Sequence, residues 1–246
     1  MAEGSIDLAS RNGVTVVTIN RPAKRNAMSA AMCDDLRQAW LGFRDSEDRV
    51  AILRSEGDIF TAGADLTNPP AQFWKALPDV GVDIGKPVIA AVHGPAIGLG
   101  VAMVAFCDLC LATTGSRFIY PEARVGVAAG LISSLVARIP HKIALELMLL
   151  GEPISAQRGY EVGLVNRVVE PAQLMDEALR MAATLATCAP LVLKFLKKMV
   201  HETLPRSPIE AMYMAQLQAE NVSLSADARE GLTAFKEKRA PRFKGA

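Results

Sequence analysis

The chain has 246 residues, of which 50% are hydrophobic and 22% are charged, and its formal net charge at pH 7 is +1. This composition is typical of a globular protein and excludes a disordered chain. The near-neutral charge gives no reason to expect nucleic acid or an anionic membrane as a partner. The N-terminal residues carry no signal-peptide pattern, and Gly, Pro and polar residues interrupt the apolar stretch 88–112. We therefore expect a cytoplasmic protein without a membrane span.

Hydrophobic patterning predicts short strands in the first half of the chain and mainly helices in the second. The predicted strands are 14–19, 50–53, 88–92 and 117–120. The predicted helices are 29–43, with Ser29 as its N-cap, and 100–111, 131–138, 142–150, 174–187, 191–202 and 207–235. This order indicates one α/β core followed by a helical C-terminal region. Cys107 and Cys110 lie in an apolar run, so we expect packed, reduced thiols rather than a redox or metal pair.

Two turns of small residues, 60–65 and 93–102, are the most informative feature of the sequence. Each turn follows an apolar run and ends where a helix could begin. If the fold brings them together, two backbone N–H groups could point at one atom, as in sites that stabilise an oxyanion on a carbonyl. On the residues alone, tight packing between strands and helices is an equally available explanation for both turns.

Short motifs along the chain resemble those of the crotonase, or enoyl-CoA hydratase/isomerase, superfamily, from about residue 14 to residue 243. The matching segments are 20–22, 26–28, 62–65, 86–94, 107–108, 121–122, 151–156, 163–166, 230–231, 234–235 and 238–239. The resemblance implies a crotonase-like spiral of ββα units over 1–190 and a helical trimerisation region over 191–246. It also implies a homotrimer or hexamer and an acyl-CoA thioester as the substrate, with no further cofactor and no metal.

The resemblance assigns roles to residues in the two turns. It implies that the backbone N–H groups of Ala64 and Leu99 bind the thioester oxygen, and that Glu122 is the acid/base. Leu99 stands where the family usually has Gly, but only its backbone is needed. Family hydratases carry a second glutamate at a position occupied here by Ala102. Residues 127–130 carry no carboxylate, which disfavours the dehalogenase-like and ring-forming members of the family.

A single glutamate favours one reaction class over another. Adding water to a double bond requires both an activated nucleophile and a proton for the adjacent carbon, whereas one base can move a proton between two carbons. The sequence therefore favours a double-bond isomerase of enoyl-CoA. Two alternatives stay open: a hydratase that uses Glu122 with an ordered water, and an acyl-CoA-binding protein that has lost the catalytic step.

The same resemblance implies contacts with the CoA part of the substrate. Lys24 and Arg25 match a region that binds the phosphates and pantetheine, and the backbone of Ala62 matches the position that hydrogen-bonds adenine. Phe235 and Lys238 match a C-terminal helix that reaches CoA, although a basic run there is equally consistent with a solvated helix face. The segment 65–86 is short for the family, so the acyl site is expected to be open or reshaped, and Tyr120 is a candidate for its lining.

Overall fold

Strand pairing builds two sheets in the computed structural model, which describes residues 4–126 and 130–246. The strands are β1 (Ser5–Arg11), β2 (Val14–Asn20), β3 (Val50–Ser55), β4 (Val88–Val92), β5 (Pro95–Ile97), β6 (Leu109–Thr113), β7 (Arg117–Ile119), β8 (Ile154–Ser155) and β9 (Arg167–Val169). The larger sheet has the order β1-β2-β3-β4-β6-β9, with β1 antiparallel to β2 and the later pairs parallel. In the smaller sheet, β5-β7-β8, β5 and β7 are parallel.

Helices connect the strands and dominate the second half of the chain. The α-helices are α1 (Ala30–Asp45), α2 (Leu99–Phe106), α3 (Glu122–Val125), α4 (His141–Leu145), α5 (Ala156–Glu161), α6 (Leu174–Ala186), α7 (Pro190–Thr203), α8 (Pro208–Ser223) and α9 (Ala226–Glu237). A π-helical segment, Glu146–Leu150, continues α4, and 3₁₀ helices occupy Pro22–Lys24, Phe73–Ala76, Leu131–Ala137 and Pro171–Gln173. The predicted N-cap of α1 is confirmed, because the Ser29 hydroxyl accepts a hydrogen bond from Met32 N.

Two successive units, β4-β5-α2 and β6-β7-α3, repeat the same path. Each unit adds one strand to the larger sheet, adds the next strand to the smaller sheet, and then enters a helix. Because β5 and β7 are parallel, their carboxyl ends meet at one edge of the smaller sheet. The starts of α2 and α3 therefore lie near each other.

One helix covers a face of the larger sheet. Leu174, Ala178 and Ala182 recur every fourth residue along α6, so they share one face of that helix. They are buried against sheet residues that include Ile52 and Ile89. Burying a leucine or isoleucine side chain contributes about 1.5–3 kcal/mol. This layer stabilises β3 and β4, the strands that precede the two turns.

The predicted helix over 100–111 was wrong in its second half. The α-helix ends at Phe106, and Leu109 begins a strand that pairs with β4 and β9. Asp108 lies at the break, where its carboxylate accepts a hydrogen bond from Val88 N at 2.7 Å and contacts Lys197 Nζ at 2.7 Å. A continuous apolar run does not distinguish a buried helix from a buried strand, so periodicity alone missed this boundary.

The described residues divide into two compact units, which meet in sequence at Ser207 and Pro208. The first unit contains both sheets and α1–α7, and the second contains α8 and α9. The single helix predicted over 207–235 was wrong, because Ser225 caps a new helix by accepting a hydrogen bond from Ala228 N at 3.0 Å. Among the described helices, none is by itself long and apolar enough to span a membrane. The segments Pro171–Ala186 and Pro190–Thr203 reach the required length and composition only as a pair, and that pair is bent by 104°.

Candidate active site

Strand pairing brings the two turns of small residues side by side. Thr61 forms a parallel bridge with Ala96, and Ile97 N donates a hydrogen bond to Thr61 O at 3.0 Å. Ala64 lies three residues beyond Thr61, and Leu99 lies three residues beyond Ala96. The parallel register therefore carries the two predicted oxyanion donors to matching positions in neighbouring segments.

The peptide geometry at Ala64 determines where its N–H points. Gly63 O accepts a hydrogen bond from Met28 N at 2.8 Å, and Asp65 N donates to Met28 O at 2.9 Å. In a trans peptide the C=O and the following N–H point in opposite directions, so Ala64 N–H points away from Met28. The other turn lies on that side, because a Cβ built on Gly63 would lie 3.6 Å from Leu99 N.

Leu99 is the first residue of α2, so its N–H has no partner inside the helix. Gly98 O accepts hydrogen bonds from Val101 N and Ala102 N, at 3.0 and 3.4 Å, and the Leu99 N–H accordingly points out of the helix start. Within residues 4–126 and 130–246, the amides of Ala64 and Leu99 have no acceptor. Two unpaired donors beside a positive helix end are suited to a carbonyl oxygen that gains negative charge.

Glycine is required in these turns by close contact. A Cβ on Gly63 would lie 2.9 Å from Ile97 O, and the φ of Gly63 is +93°, which disfavours other residues. A Cβ on Gly100 would lie 2.5 Å from Thr61 Cγ2. The two explanations for these turns, tight packing and oxyanion binding, are therefore compatible, because tight packing aligns the two N–H groups.

The loop 20–28 supports the first turn through polar contacts whose role the sequence did not predict. Arg21 Nη1 donates to Asp65 Oδ2 at 2.7 Å and to Ala27 O at 2.9 Å. The Thr67 hydroxyl and the Arg21 guanidinium hold the pKa of the Asp65 carboxyl well below its ordinary value. Asn26 Nδ2 donates to Ile59 O at 2.9 Å. The Asn-Arg-Pro motif at 20–22 was the sequence feature from which this support could have been predicted, because its arginine bonds Asp65 in the first turn.

Glu122 is the first residue of α3 and lies just beyond the end of β7. Gly98 N donates to Ile119 O at 2.8 Å, so the end of β7 is tied to the turn that carries Leu99. Burial, and then the Glu122 carboxylate, raise the pKa of Tyr120 well above its ordinary value. The structure thus brings together the ends of the segments that carry Ala64, Leu99 and Glu122.

Ala102 lies on α2 and is 3% exposed, so the buried face of that helix presents a methyl group at the position where family hydratases carry a glutamate. Residues 127–129, within the segment predicted to lack the aspartate of other family members, lie outside the described residues. α2 itself carries no ionisable side chain.

The residues predicted to bind CoA fall into two groups. Lys24 and Arg25 are exposed, and Arg25 O accepts a hydrogen bond from Ala62 N at 2.9 Å, so all three lie near the first turn. Phe235, on α9, is 84% exposed, and Lys238 directly follows α9, so both belong to the second unit. Their predicted CoA contacts stay predictions.

The segment 65–86 is well packed around its 3₁₀ helix. Trp74 is 1% exposed, and Trp40 Nε1 donates a hydrogen bond to Ala76 O at 2.8 Å. Leu66, at the start of the segment, is 69% exposed. This segment is therefore anchored to α1, while residues 66–69 are exposed to solvent.

A cluster of possible metal ligands lies elsewhere in the first unit. Asp79, Asp108 and His201 bring ligand atoms within 4.8 Å of one another. Lys197 Nζ contacts both carboxylates, at 2.9 Å for Asp79 and 2.7 Å for Asp108, and also donates to Lys86 O at 2.7 Å. The ammonium supplies the compensating positive charge, so this cluster is a structural tie between α7 and the sheet.

Comparison with known proteins identifies the class. The family model of the enoyl-CoA hydratase/isomerase family matches residues 9–246, and the chain belongs to this family. Human "enoyl-CoA hydratase domain-containing protein 3, mitochondrial" is 35% identical, with 94% of this chain and 80% of that protein covered. The (E)-benzylidenesuccinyl-CoA hydratase of Thauera aromatica is 34% identical, with 98% and 99% covered. The carnitinyl-CoA dehydratase of Proteus mirabilis is 33% identical, with 98% of each chain covered.

Solved structures agree with this assignment. The enoyl-CoA hydratase/isomerase from Pseudoalteromonas atlantica matches with a TM-score of 0.76 at 32% identity, covering 97% of this chain and 99% of that one. An enoyl-CoA hydratase subunit from Geobacillus kaustophilus matches with a TM-score of 0.75. The predicted resemblance and the crotonase-like α/β fold with a helical C-terminal region are confirmed. The protein is an acyl-CoA-processing enzyme of this family.

Proposed function

We propose that this enzyme moves the double bond of an enoyl-CoA thioester. In this proposal, the N–H groups of Ala64 and Leu99 hold the thioester oxygen, and Glu122 transfers the proton. The observation that carries the proposal is that Glu122 is present while the position of the other hydratase glutamate is occupied by Ala102, which is buried. One carboxylate is sufficient for a proton shift but is poorly equipped for adding water.

The proposed reaction balances with one acid/base group. The Glu122 carboxylate removes a proton from C2 of a 3-enoyl-CoA, and the electron pair of that C–H bond moves into a dienolate whose charge rests on the thioester oxygen. The protonated Glu122 then delivers the proton to C4, which restores the thioester and leaves a C2–C3 double bond. The two N–H groups stabilise the dienolate, and losing one such donor typically costs about 2.7–4 kcal/mol of barrier.

A hydratase that uses Glu122 and an ordered water is the second candidate. The names of two relatives favour it, since one is a hydratase and the other a dehydratase of CoA thioesters. The third candidate is an acyl-CoA-binding protein without turnover, which the missing second glutamate would permit.

Substrate binding in this proposal uses CoA itself and no added cofactor or metal. Lys24 and Arg25 are exposed cations beside the first turn, where they can meet the phosphates, and the backbone of Ala62 can meet the adenine. Phe235 and Lys238 supply the C-terminal contacts. We propose a cytoplasmic location and no nucleic-acid or membrane partner, in keeping with the net charge of +1.

We also propose a homotrimer or hexamer, which an exposed apolar face on α7 supports. The large apolar residues of this face are each at least half exposed: Leu191, Val192, Phe195, Leu196 and Val200. Apolar patches of this kind generally mark interfaces, and closed rings cover a repeated patch.

Light scattering should therefore give a multiple of the 26.3 kDa chain mass. Phe195→Glu should lower that mass, and Lys198→Glu, at an exposed position of the same helix, is the control.

Product analysis tests the reaction. Purified enzyme is given 3-enoyl-CoA or 2-enoyl-CoA, and chromatography with mass spectrometry separates an isomer of unchanged mass from a product that has gained water. Faster isomerisation than hydration, lost in Glu122→Gln, supports the proposal. Efficient hydration that is lost in the same variant supports the second candidate. Calorimetric binding of acyl-CoA without turnover supports the third, and absence of binding contradicts the assignment of both turns.

A further inference from the structure

Thr61 is a fully buried residue that contacts both turns of small residues. Its carbonyl oxygen accepts a hydrogen bond from Ile97 N at 3.0 Å, in the turn that carries Leu99. Its methyl group packs at the start of α2, where a Cβ built on Gly100 would lie 2.5 Å from Thr61 Cγ2. Its hydroxyl faces its own turn, because Gly63 N donates a hydrogen bond to Thr61 Oγ1 at 3.0 Å. Packing explains the methyl group but not the buried hydroxyl.

The hydroxyl of Thr61 links Asn26 to Gly63. It donates to Asn26 O at 2.6 Å while it accepts from Gly63 N, and one hydroxyl can do both. Asn26 is 1% exposed and its side chain is held at both polar atoms. Its Oδ1 accepts a hydrogen bond from Arg21 N at 2.8 Å, and its Nδ2 donates to Ile59 O at 2.9 Å. The carbonyl of Asn26 is therefore a fixed point, and the hydroxyl ties Gly63 to it.

Gly63 is the point in the turn where this restraint matters. A glycine at a φ of +93° has no Cβ to limit its conformation, and its ψ decides the direction of the Ala64 N–H. The Thr61 hydroxyl holds the N–H of Gly63, and Met28 N holds its carbonyl oxygen at 2.8 Å. These bonds restrain both φ and ψ of the glycine, so they also fix the direction of the Ala64 N–H.

We propose that Thr61 is a positioning residue whose hydroxyl holds the Gly63–Ala64 peptide in the orientation from which the Ala64 N–H, together with that of Leu99, binds the thioester oxygen. This inference rests on the donor roles proposed for Ala64 and Leu99. Thr61 does not touch the substrate in this scheme, and it acts through the backbone path of the donor turn. Serine at this position could perform the same role, and valine could not.

Steady-state kinetics of Thr61→Val and Thr61→Ser test the role. Valine keeps the branched shape against Gly100 but has no hydroxyl, so we expect T61V to lower kcat by about 10- to 100-fold, less than the loss of a whole donor. KM should change little, because the donors act mainly on the charge that develops in the transition state. T61S keeps the hydroxyl and should retain most of kcat. A T61V enzyme with the wild-type kcat overturns the inference.

Thr113→Val is the matched control for the loss of a buried hydroxyl. Thr113 is 2% exposed at the end of β6, and its hydroxyl lies 2.9 Å from Ser116 Oγ. We expect T113V and T61V both to lower the thermal midpoint, because each leaves a buried hydrogen-bonding group without its partner. Only T61V should lower kcat. An equal loss of kcat in T113V would indicate general destabilisation and would overturn the inference.

Isotope-edited infrared spectroscopy measures the donors without turnover. The probes are butanoyl-CoA and dodecanoyl-CoA with ¹²C or ¹³C at the thioester carbon, and the difference spectrum isolates the C=O stretch. Hydrogen bonds to the oxygen weaken the C=O bond, so binding to the wild type should lower its frequency relative to the probe in buffer. In T61V the band should move back toward the buffer value, whereas in T61S and T113V it should resemble that of the wild type. A purely structural role of Thr61 would not move this band.

Thr61→Cys replaces T61V if that variant does not fold. Cysteine has the shape of serine but only a weak hydrogen-bonding group. T61C should therefore show a lower kcat and a higher C=O frequency of the bound probe than T61S does. Equal values in T61C and T61S overturn the inference.

Failure of this role can be distinguished from failure of the proposed donors. A wild type that binds neither probe, or binds one with its C=O frequency unchanged, overturns the donor roles of Ala64 and Leu99 and this role with them. A wild type that lowers the frequency, together with a T61V variant that lowers it equally, overturns the role of Thr61 alone.

Discussion

The proposed site has two halves, one formed by backbone groups and the other by a side chain. The proposed donor half consists of two backbone N–H groups, at Ala64 and Leu99, aligned by strand pairing and by the close approach of Gly63 to the second turn. The proposed base half is one side chain, Glu122, at the start of a four-residue helix. The donor half should therefore tolerate changes of side chain but not of backbone path, and the base half should show the opposite sensitivity.

The largest expected effect comes from removing the base. Glu122→Gln keeps the size of the side chain but cannot accept the proton, so kcat should fall by about 10²–10⁴-fold, the usual contribution of general acid–base catalysis. The thermal midpoint should change little. Glu152→Gln is the matched control, because Glu152 is exposed and contacts Arg124 at 3.3 Å. If E122Q retains most of the activity, Glu122 is not the acid/base of the reaction.

The next largest effect comes from bending the donor half. Gly63→Ala would place a methyl group 2.9 Å from Ile97 O at a φ of +93°, so the two turns must separate. Backbone strain of this kind costs about 1–3 kcal/mol of stability. Loss of one aligned donor should lower kcat by about 10²–10³-fold. Gly115→Ala is the control, since nothing lies within 4 Å of its Cβ. Full activity in G63A would show that the turns do not align the donors.

A smaller effect, on thermal stability, is expected from changing Asp65 in the first turn, and this effect depends on pH. The pKa of Asp65 is lowered in the folded protein by Thr67 and Arg21, so its charged form stabilises the fold. This contribution is complete above the unfolded pKa of about 3.9 and is lost as the pH falls through the lower folded value. Asp65→Asn should therefore lower the thermal midpoint at neutral pH, and the difference should shrink below about pH 4.

Melting curves of wild type and D65N between neutral and acidic pH measure this difference. Asp35→Asn, an exposed change on α1, is the control and should follow the wild type. A constant gap between wild type and D65N at all pH values would contradict the assigned role of the Asp65 charge.

The smallest effect should come from the Leu99 side chain. Leu99→Met keeps the N–H and approximately the volume of the buried side chain, which is 7% exposed. Such swaps usually cost less than about 1.5 kcal/mol, and kcat should be little changed. A folded L99M enzyme that has lost most of its kcat would show that the side chain, and not only the backbone, takes part in the reaction.

Local signals were sufficient for part of the fold. The strands predicted at 14–19, 50–53 and 88–92 are confirmed, because a β-branched or continuous apolar run carries its own strand preference. Ser29 was recognisable as an N-cap, because the bond to Met32 N spans only three residues. The resemblance of motifs along the chain was sufficient for the family. It also assigned Ala64, Leu99 and Glu122, whose catalytic roles stay predictions.

Tertiary structure decided what no local pattern encodes. The break between α2 and β6 depends on Asp108 meeting Val88 and Lys197, which are remote in sequence. The alignment of Ala64 with Leu99 depends on the Thr61–Ala96 bridge, and the position of Glu122 depends on the hydrogen bond that ties Ile119, at the end of β7, to Gly98. The sequence by itself determined which groups are available for chemistry. Only long-range strand pairing and burial determined which of them meet, because hydrogen bonds between distant segments form only once the core is packed.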